Sequence, residues 1–247
     1  MDTDFDPTSV QPDHVLDGGD LDCGSGLVLL IREHMLRVPV GGILEMKSRE
    51  PTVADDLPPW CRMVGHLYLG SATGDGEVRY FVRRGAAAAA DAAALQADKE
   101  RAKEYEWRAR IRRSAPLVET VYCRNFSFIA GQPASFEEKD AHPSAIEYLL
   151  GALGADLVAV FAGECSRAGL TIDDIEMTVR GRLHNVLVHL GLEEGDPSLR
   201  SLEIKCFAST MDEERAVRVA WERTIVRSPI LATLAKATEV ETRLAIV

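Results

Sequence analysis

"HPSAIEYLLGALGADLVAVFAGECSRAG", residues 142–169, decides how the larger part of this 247-residue chain folds. Leu149, Leu153, Leu157 and Val160 recur at helical spacing, so one face of a helix is apolar along its length. Pro143 suits a first helical turn and Gly169 a stop. Little of the segment is polar. A long helix buried at the centre of a domain is therefore expected.

Strand patterns flank that helix. In "YEWRARIRRS" (105–114), Trp107, Ala109 and Ile111 alternate with Arg108, Arg110 and Arg112. "VETVYCRNFSFIAG" (118–131) reads as the hairpin partner of that strand. After the helix come strands "DIEMTVRGRL" and "LEIKCFAST", helix "MDEERAVRVAWERTIV", a short helix after "RSPI", and strand "EVETRLAIV". Strands and helices in this order give an α+β domain over residues 104–247.

Upstream the composition changes at Gly85. "GAAAAADAAALQADKERAKEYE" is Ala-rich and then charged, with strong helix formers and no turn residues. Little in it could anchor a core, so residues 86–103 read as a helical linker. The first domain, residues 15–85, reads β-α-β-α-β-β in two layers. Its strands are "HVLDGG", "GILEMKS" and the hairpin "LYLGSATGDGEVRYFVRR", which turns at Asp75-Gly76. Its helices cover residues 24–37, with Leu27, Leu30, Ile31 and Met35 on one face, and "EPTVADDLPPWCRMVGH". Residues 1–14 read as a disordered tail.

Composition narrows the function. The chain carries 39 acidic against 28 basic residues, a net charge of −11. That charge disfavours nucleic acid and anionic membranes as partners, since both are bound through Lys and Arg. No stretch approaches the ~20 apolar residues of a transmembrane helix, and the acidic N-terminus lacks the order of a signal peptide. Five cysteines (23, 61, 123, 165, 206) with no C-x-x-C pair fit reduced thiols in the cytoplasm. His34, His66, His142, His184 and His189 show no metal-ligand spacing, and the glycines at 18–19 and 24–26 form no phosphate loop. No metal and no cofactor is expected.

Residues 16–83 resemble the TusA sulfur-carrier family. The resemblance rests on Leu16-Asp17, with Cys23 six residues after the Asp, on Arg32, and on the Pro39/Gly41 turn. It continues in "DLPPWC", Asp56 to Cys61, and in the closing strand "RYFVRR". The family's Cys-Pro-x-Pro is here Cys-Gly-Ser-Gly, and its glycine before the cysteine is Asp20, beside Gly19. The resemblance implies that Cys23 carries persulfide sulfur to or from a protein partner. It gives Arg32, Asp56 and Cys61 supporting or partner-docking roles, with Arg32 supplying positive potential on the docking helix.

Residues 104–247 resemble the OsmC/Ohr family, whose Glu-x-Leu-Leu-x-Ala-Leu-x-x-Cys pattern begins here at Glu147. Asp156 stands where that pattern has its peroxidatic cysteine, and Ser228-Pro229 where the family has Cys-Pro. The resemblance implies a homodimer through this domain, with Glu147, Asp156 and Ser228 as a degenerate site without peroxide chemistry.

Cys23 lies at or near a helix start, where unpaired amides and the helix dipole stabilise a thiolate. Gly24 and Gly26 leave its sulfur uncovered. Asp20 and Asp22 oppose a thiolate, but the helix-end amides are nearer, so a net lowering of the Cys23 pKa is expected. The other four cysteines read as core residues. Asp156 falls on the apolar stripe, where a carboxylate needs a partner. An ion pair to Arg124 is expected, with a general acid/base role as the alternative. Three functions remain open: a sulfur carrier or sulfurtransferase on Cys23, a non-enzymatic binding or scaffold protein with a vestigial carrier module, and an OsmC-type thiol peroxidase using Cys165 or Cys123.

Overall fold

The computed structural model describes residues 9–23, 26–74, 76–86, 88–131 and 142–247, without the side chains of 88–93. The chain divides into two compact units, with the boundary between Tyr105 and Glu106.

Unit 1 follows the expected order: β1 (His14–Asp17), α1 (Leu27–Met35), β2 (Ile43–Ser48), α2 (Val53–Val64), β3 (Leu67–Gly74) and β4 (Glu77–Arg83). The strands form one sheet in the order β1-β2-β4-β3. β1 runs parallel to β2, and the other neighbours are antiparallel. Alternation along β4 turns Tyr80 and Val82 toward the helices, where they meet Leu27, Ile31 and Met35 of α1 and Val53, Leu57, Trp60 and Cys61 of α2. Both helices therefore cover the same core. His14 opens β1 as the strand "HVLDGG" requires, and Asp13, expected in the tail, is tied down just ahead of it by its amide donating to the Ile43 carbonyl. Residues 1–8 and Asp75 of the expected turn lie outside the described residues.

The Ala-rich segment forms α3 (Ala88–Lys103), but it does not lie free as a linker. Leu95 is buried, Asp98 pairs with Arg32, and Lys99 pairs with Glu33 at 3.1 Å. Its anchor is a single leucine plus matched charges, which leave no apolar stripe along the sequence.

Unit 2 contains two three-stranded sheets. β5 (Arg110–Ala115), β6 (Val118–Cys123) and β7 (Phe126–Ala130) form an antiparallel meander. The expected single partner strand over 118–131 is thus two strands, turned at Arg124, which has a positive φ of 55°. Trp107 and Ala109 precede β5. The second sheet, in the order β10-β9-β8, holds β8 (Asp174–Leu183), β9 (Leu199–Ser209) and β10 (Glu239–Ile246). The long helix α4 (Ala145–Arg167), together with α6 (Glu214–Arg227) and α7 (Pro229–Leu234), packs on this sheet. A short helix, α5 (Val186–His189), follows β8.

Two expectations about α4 need correction. The helix is capped by Ser144 rather than opened by Pro143. Ser144 Oγ accepts from the Glu147 amide, and the Glu147 carboxylate accepts from the Ser144 amide, a reciprocal capping box. Nor is it buried all round. Leu153, Leu157, Phe161 and Cys165 enter the core with Trp221 and Ile204, whereas Gly151, Ala152, Ala155 and Ala159 are exposed. Among the described residues α4 is also the one helix long and apolar enough to cross a membrane. By length and composition alone it passes that test where no such stretch was expected, because its Leu, Ile, Val, Phe and Ala residues, summed over the helix, outweigh its few charges. Its inward face packs as a globular core helix does.

Candidate functional site

The loop between β1 and α1 holds Cys23 and is built on the end of β2. The Gly18 amide donates to the Lys47 carbonyl, the Arg49 amide to the Gly19 carbonyl, and the Ser48 hydroxyl to Gly19 O. The Gly19 amide donates to Asp17 Oδ1, and Arg49 holds Asp20 through Nε at 3.0 Å. These bonds leave the loop little freedom up to Asp22.

α1 starts later than expected. Its N-cap is Gly26, at φ 102°, a backbone state that side chains other than hydrogen rarely tolerate. Gly24 and Ser25, which belong to the expected helix and to the uncovered approach, lie outside the described residues. Cys23 thus precedes the N-cap by three residues, and the Leu27 amide reaches back to the Asp22 carbonyl at 3.4 Å. The thiol is half-buried.

Its surroundings are acidic. Partial burial pushes the Cys23 thiol above its ordinary value first. The Asp56 and Asp22 carboxylates push it further, and Asp56 also accepts the thiol's hydrogen bond. The expected net lowering is overturned. Asp20, counted against the thiolate from sequence, is neutralised by Arg49, while Asp56 enters from the first turn of α2. The Cys23 thiol thus sits in its neutral form beside the Asp56 carboxylate.

The other expected docking residues are not free around it. Arg32 is paired to Asp98 of α3. Cys61 is fully buried in the α2 core contact, and burial pushes its thiol up to about 12. It packs and does not dock. Trp60, its neighbour, stacks at a tilt on His66.

In unit 2, Asp156 does not meet Arg124, whose guanidinium lies over the Phe126 ring in the first sheet. Instead Asp156 Oδ2 accepts from Ser228 Oγ at 2.5 Å and from the Ile230 amide at 3.3 Å. Ser228 is fully buried and N-caps α7 by accepting from the Leu231 amide. The tertiary fold thus brings together the two positions singled out as degenerate, and they act as a cap. Glu147 caps α4, and its two bonds to Ser144 hold the carboxyl below its ordinary range. It also lines a groove of about 440 Å³ with Leu150, Gly151, Ala155, Met177 and Val179. Burial raises the Cys165 and Cys206 thiols to about 11 and about 12.

Two partners of the Cys23 loop and of α1 carry no signal in the sequence. Asp98 sits in the segment taken for a linker, and Arg49 follows β2 without any motif. The S-x-x-E spacing of Ser144 and Glu147 was the signal that could have found the α4 cap.

A scan against protein-family models finds no match. The sulfur carrier protein TusA of Pseudomonas putida strain GB-1 is 30% identical over 77 residues, which are 31% of this chain and 95% of that protein. The chain belongs to the TusA family. The TusA of Pseudomonas fluorescens strain SBW25 is 26% identical over 78 residues, 32% of this chain and 93% of its own. These relatives cover the N-terminal part alone. An OsmC-like protein from Mycoplasma pneumoniae superposes with a TM-score of 0.51 over 58% of this chain and 99% of its own, at 15% identity. At that identity the likeness shows the fold. The chain joins a TusA module to a domain of OsmC-like fold.

Proposed function

We propose that this protein is a sulfur carrier that relays sulfane sulfur on Cys23 between protein partners. The observation that carries the reading is the thiol itself. In the module related to sulfur carriers, Cys61 is sealed in the core while Cys23 is half-exposed on an anchored loop. In the relay, the Cys23 sulfur attacks the terminal sulfur of a donor persulfide. The donor's S–S bond breaks, an S–S bond to Cys23 forms, and the donor leaves as a thiol. The Cys23 proton passes to the departing sulfur, with Asp56 as its nearest acceptor. No oxidant or reductant is consumed. Burial first, and the Asp56 and Asp22 carboxylates with it, keep the resting thiol neutral, which protects it from adventitious oxidation while it waits for a donor.

Unit 2 serves, in this reading, as a homodimerisation domain without peroxide chemistry, and the chain works in the cytoplasm. Asp156 and Ser228 cannot form the sulfenic acid that begins thiol oxidation, and burial, which pushes the Cys165 thiol up to about 11, disfavours that cysteine as a substitute. Support for the dimer comes from apolar surface left open. One face of the first sheet carries Ile111, Val121 and Phe128, of which Ile111 is 60% exposed, beside Phe126 at 59%. The outer face of α4 is equally open. Apolar surface of this extent marks an interaction site.

The raised Cys23 thiol favours a second reading, a binding or scaffold protein whose carrier module is vestigial. Intact-mass spectrometry after exposure to a cysteine desulfurase and L-cysteine separates the two. The relay predicts one added sulfur, mapped to the Cys23 peptide and absent from Cys23→Ser. No added sulfur on the wild-type chain sinks the relay.

A further inference from the structure

β1 is an edge strand of its sheet, so β2 alone pairs with it. Its other hold comes from α1. Alternation turns His14 and Leu16 toward the helices and leaves Val15 47% exposed. α1 presents His34 one turn beyond Ile31, at the border of its buried stripe. There His14 Nε2 and His34 Nδ1 meet at 2.8 Å. The ring centroids lie 5.0 Å apart, which exceeds the N···N contact by about two ring radii, so the bond is close to straight. Lone pairs that meet head-on share a hydrogen. They do not converge on a metal ion, whose imidazole ligands stand more than about 3 Å from each other.

We propose that the His14–His34 bond is a proton-operated latch that closes β1 onto α1 at neutral pH and opens in mild acid. The two elements flank the Cys23 loop, so the latch fixes the frame from which Cys23 is presented, whichever function the thiol serves. A straight N–H···N bond holds one hydrogen between two nitrogens. Two neutral rings satisfy it, and so does one cationic ring beside a neutral one, but two cations do not. His34 is the neutral acceptor. Burial first, then the Arg37 and His14 charges, hold its imidazole below the ordinary value, while Glu33 acts the other way. Glu33 is itself engaged by Lys99 of α3. The other charged groups around the contact have partners of their own. Asp13 Oδ2 accepts from the Ile43 amide, Asp98 pairs with Arg32, and Arg84 donates to the Leu36 and Val38 carbonyls just beyond α1. A second proton therefore sets two like charges face to face. A base whose pKa is lowered on folding stabilises the fold above its ordinary value and loses that contribution as pH falls. The latch thus releases below about pH 6.5, the ordinary imidazole value.

Amide hydrogen exchange of the full chain from about pH 7 to about pH 5, the span in which imidazole takes up its proton, tests this once rates are corrected for the intrinsic pH dependence of exchange. The expected result is a several-fold loss of protection in β1 and at the Gly18 amide, with β4 unchanged. His34→Asn keeps an acceptor near the Nδ1 position that cannot be protonated, so β1 should stay protected throughout. His34→Ala removes the bond and should show the acid behaviour already at neutral pH. Wild-type protection that stays constant across the range overturns the latch, and so does the same acid loss in His34→Asn. Histidine side-chain NMR of the wild-type chain gives the answer without mutation. His34 should titrate below the ordinary range, with the His14 signals responding to the same step. Independent titration of the two rings at ordinary values overturns the proposal. Sulfur loading plays no part in these readings, so the latch stands or falls apart from the relay.

Discussion

α1 and α4 are the two helices around which the units are built, and they differ in what covers them. α1 is short, carries Arg32 and Glu33 on its outer side, and is enclosed by its own unit through α3. α4 is longer and more apolar, yet one face of it is open, with Gly151, Ala152, Ala155 and Ala159 exposed. Apolarity alone therefore does not say where a helix is buried. A charged face can be closed by matched charges from a neighbouring segment, whereas an apolar face waits for an apolar cover. For α4 that cover is a second copy in the function proposed above.

The sharpest way to break this comparison is to charge the open face. Ala155→Glu places a carboxylate where the single chain has room for it, so unit 2 is expected to stay folded and to run as a monomer in light scattering while the wild type runs as a dimer. A wild-type monomer at micromolar concentration ends the dimer reading. The closed face is tested by Phe161→Ala, which empties a core position stacked edge-on against Trp221 at 5.4 Å. The expected loss is about 3–5 kcal/mol in denaturant unfolding. A loss under about 1 kcal/mol would mean that the inner face of α4 is no better packed than the outer one.

Smaller changes sharpen the contrast between the two candidate sites. Ser228→Ala removes the α7 cap and leaves Asp156 without its hydroxyl donor. About 0.5–2 kcal/mol of stability should be lost, with sulfur loading on Cys23 unaffected. The smallest expected effect is electrostatic. Because burial and two carboxylates raise the Cys23 pKa, its thiolate fraction at neutral pH is below that of a free cysteine, and the labelling rate should climb only at alkaline pH. Asp56→Asn removes one of the carboxylates, so the pKa falls and the labelling profile moves to lower pH. Burial, the largest cause, remains, so the shift is partial. A profile that moves to higher pH would show that Asp56 promotes the thiolate.

Much of the fold could be read along the chain. The strict alternation of β8 and β9, the β-α-β-α-β-β order of unit 1 and the long apolar run of α4 are local patterns, and periodicity reports them directly. The β6/β7 turn was missed because Arg124-Asn125 is a weaker turn signal than glycine. The candidate site was legible in part. Cys23 and its loop stood out, but the sign of its pKa shift did not, because that depends on which acidic residues come close. Asp20 is the sequence neighbour and is neutralised by Arg49, while Asp56 arrives from another helix.

What the sequence by itself determined is most of the elements, the division into a carrier-like and an OsmC-like part, and which cysteine lies on a loop. Tertiary structure alone decided the partners of charged groups. Asp156 met Ser228, 72 residues away, and not Arg124, and Arg32 met Asp98 in a segment that looked like a linker. The physical reason is range. Secondary structure follows from backbone hydrogen bonds and apolar spacing within one or two turns, whereas an ion pair or a pKa depends on whichever charge the whole chain folds to within a few ångströms.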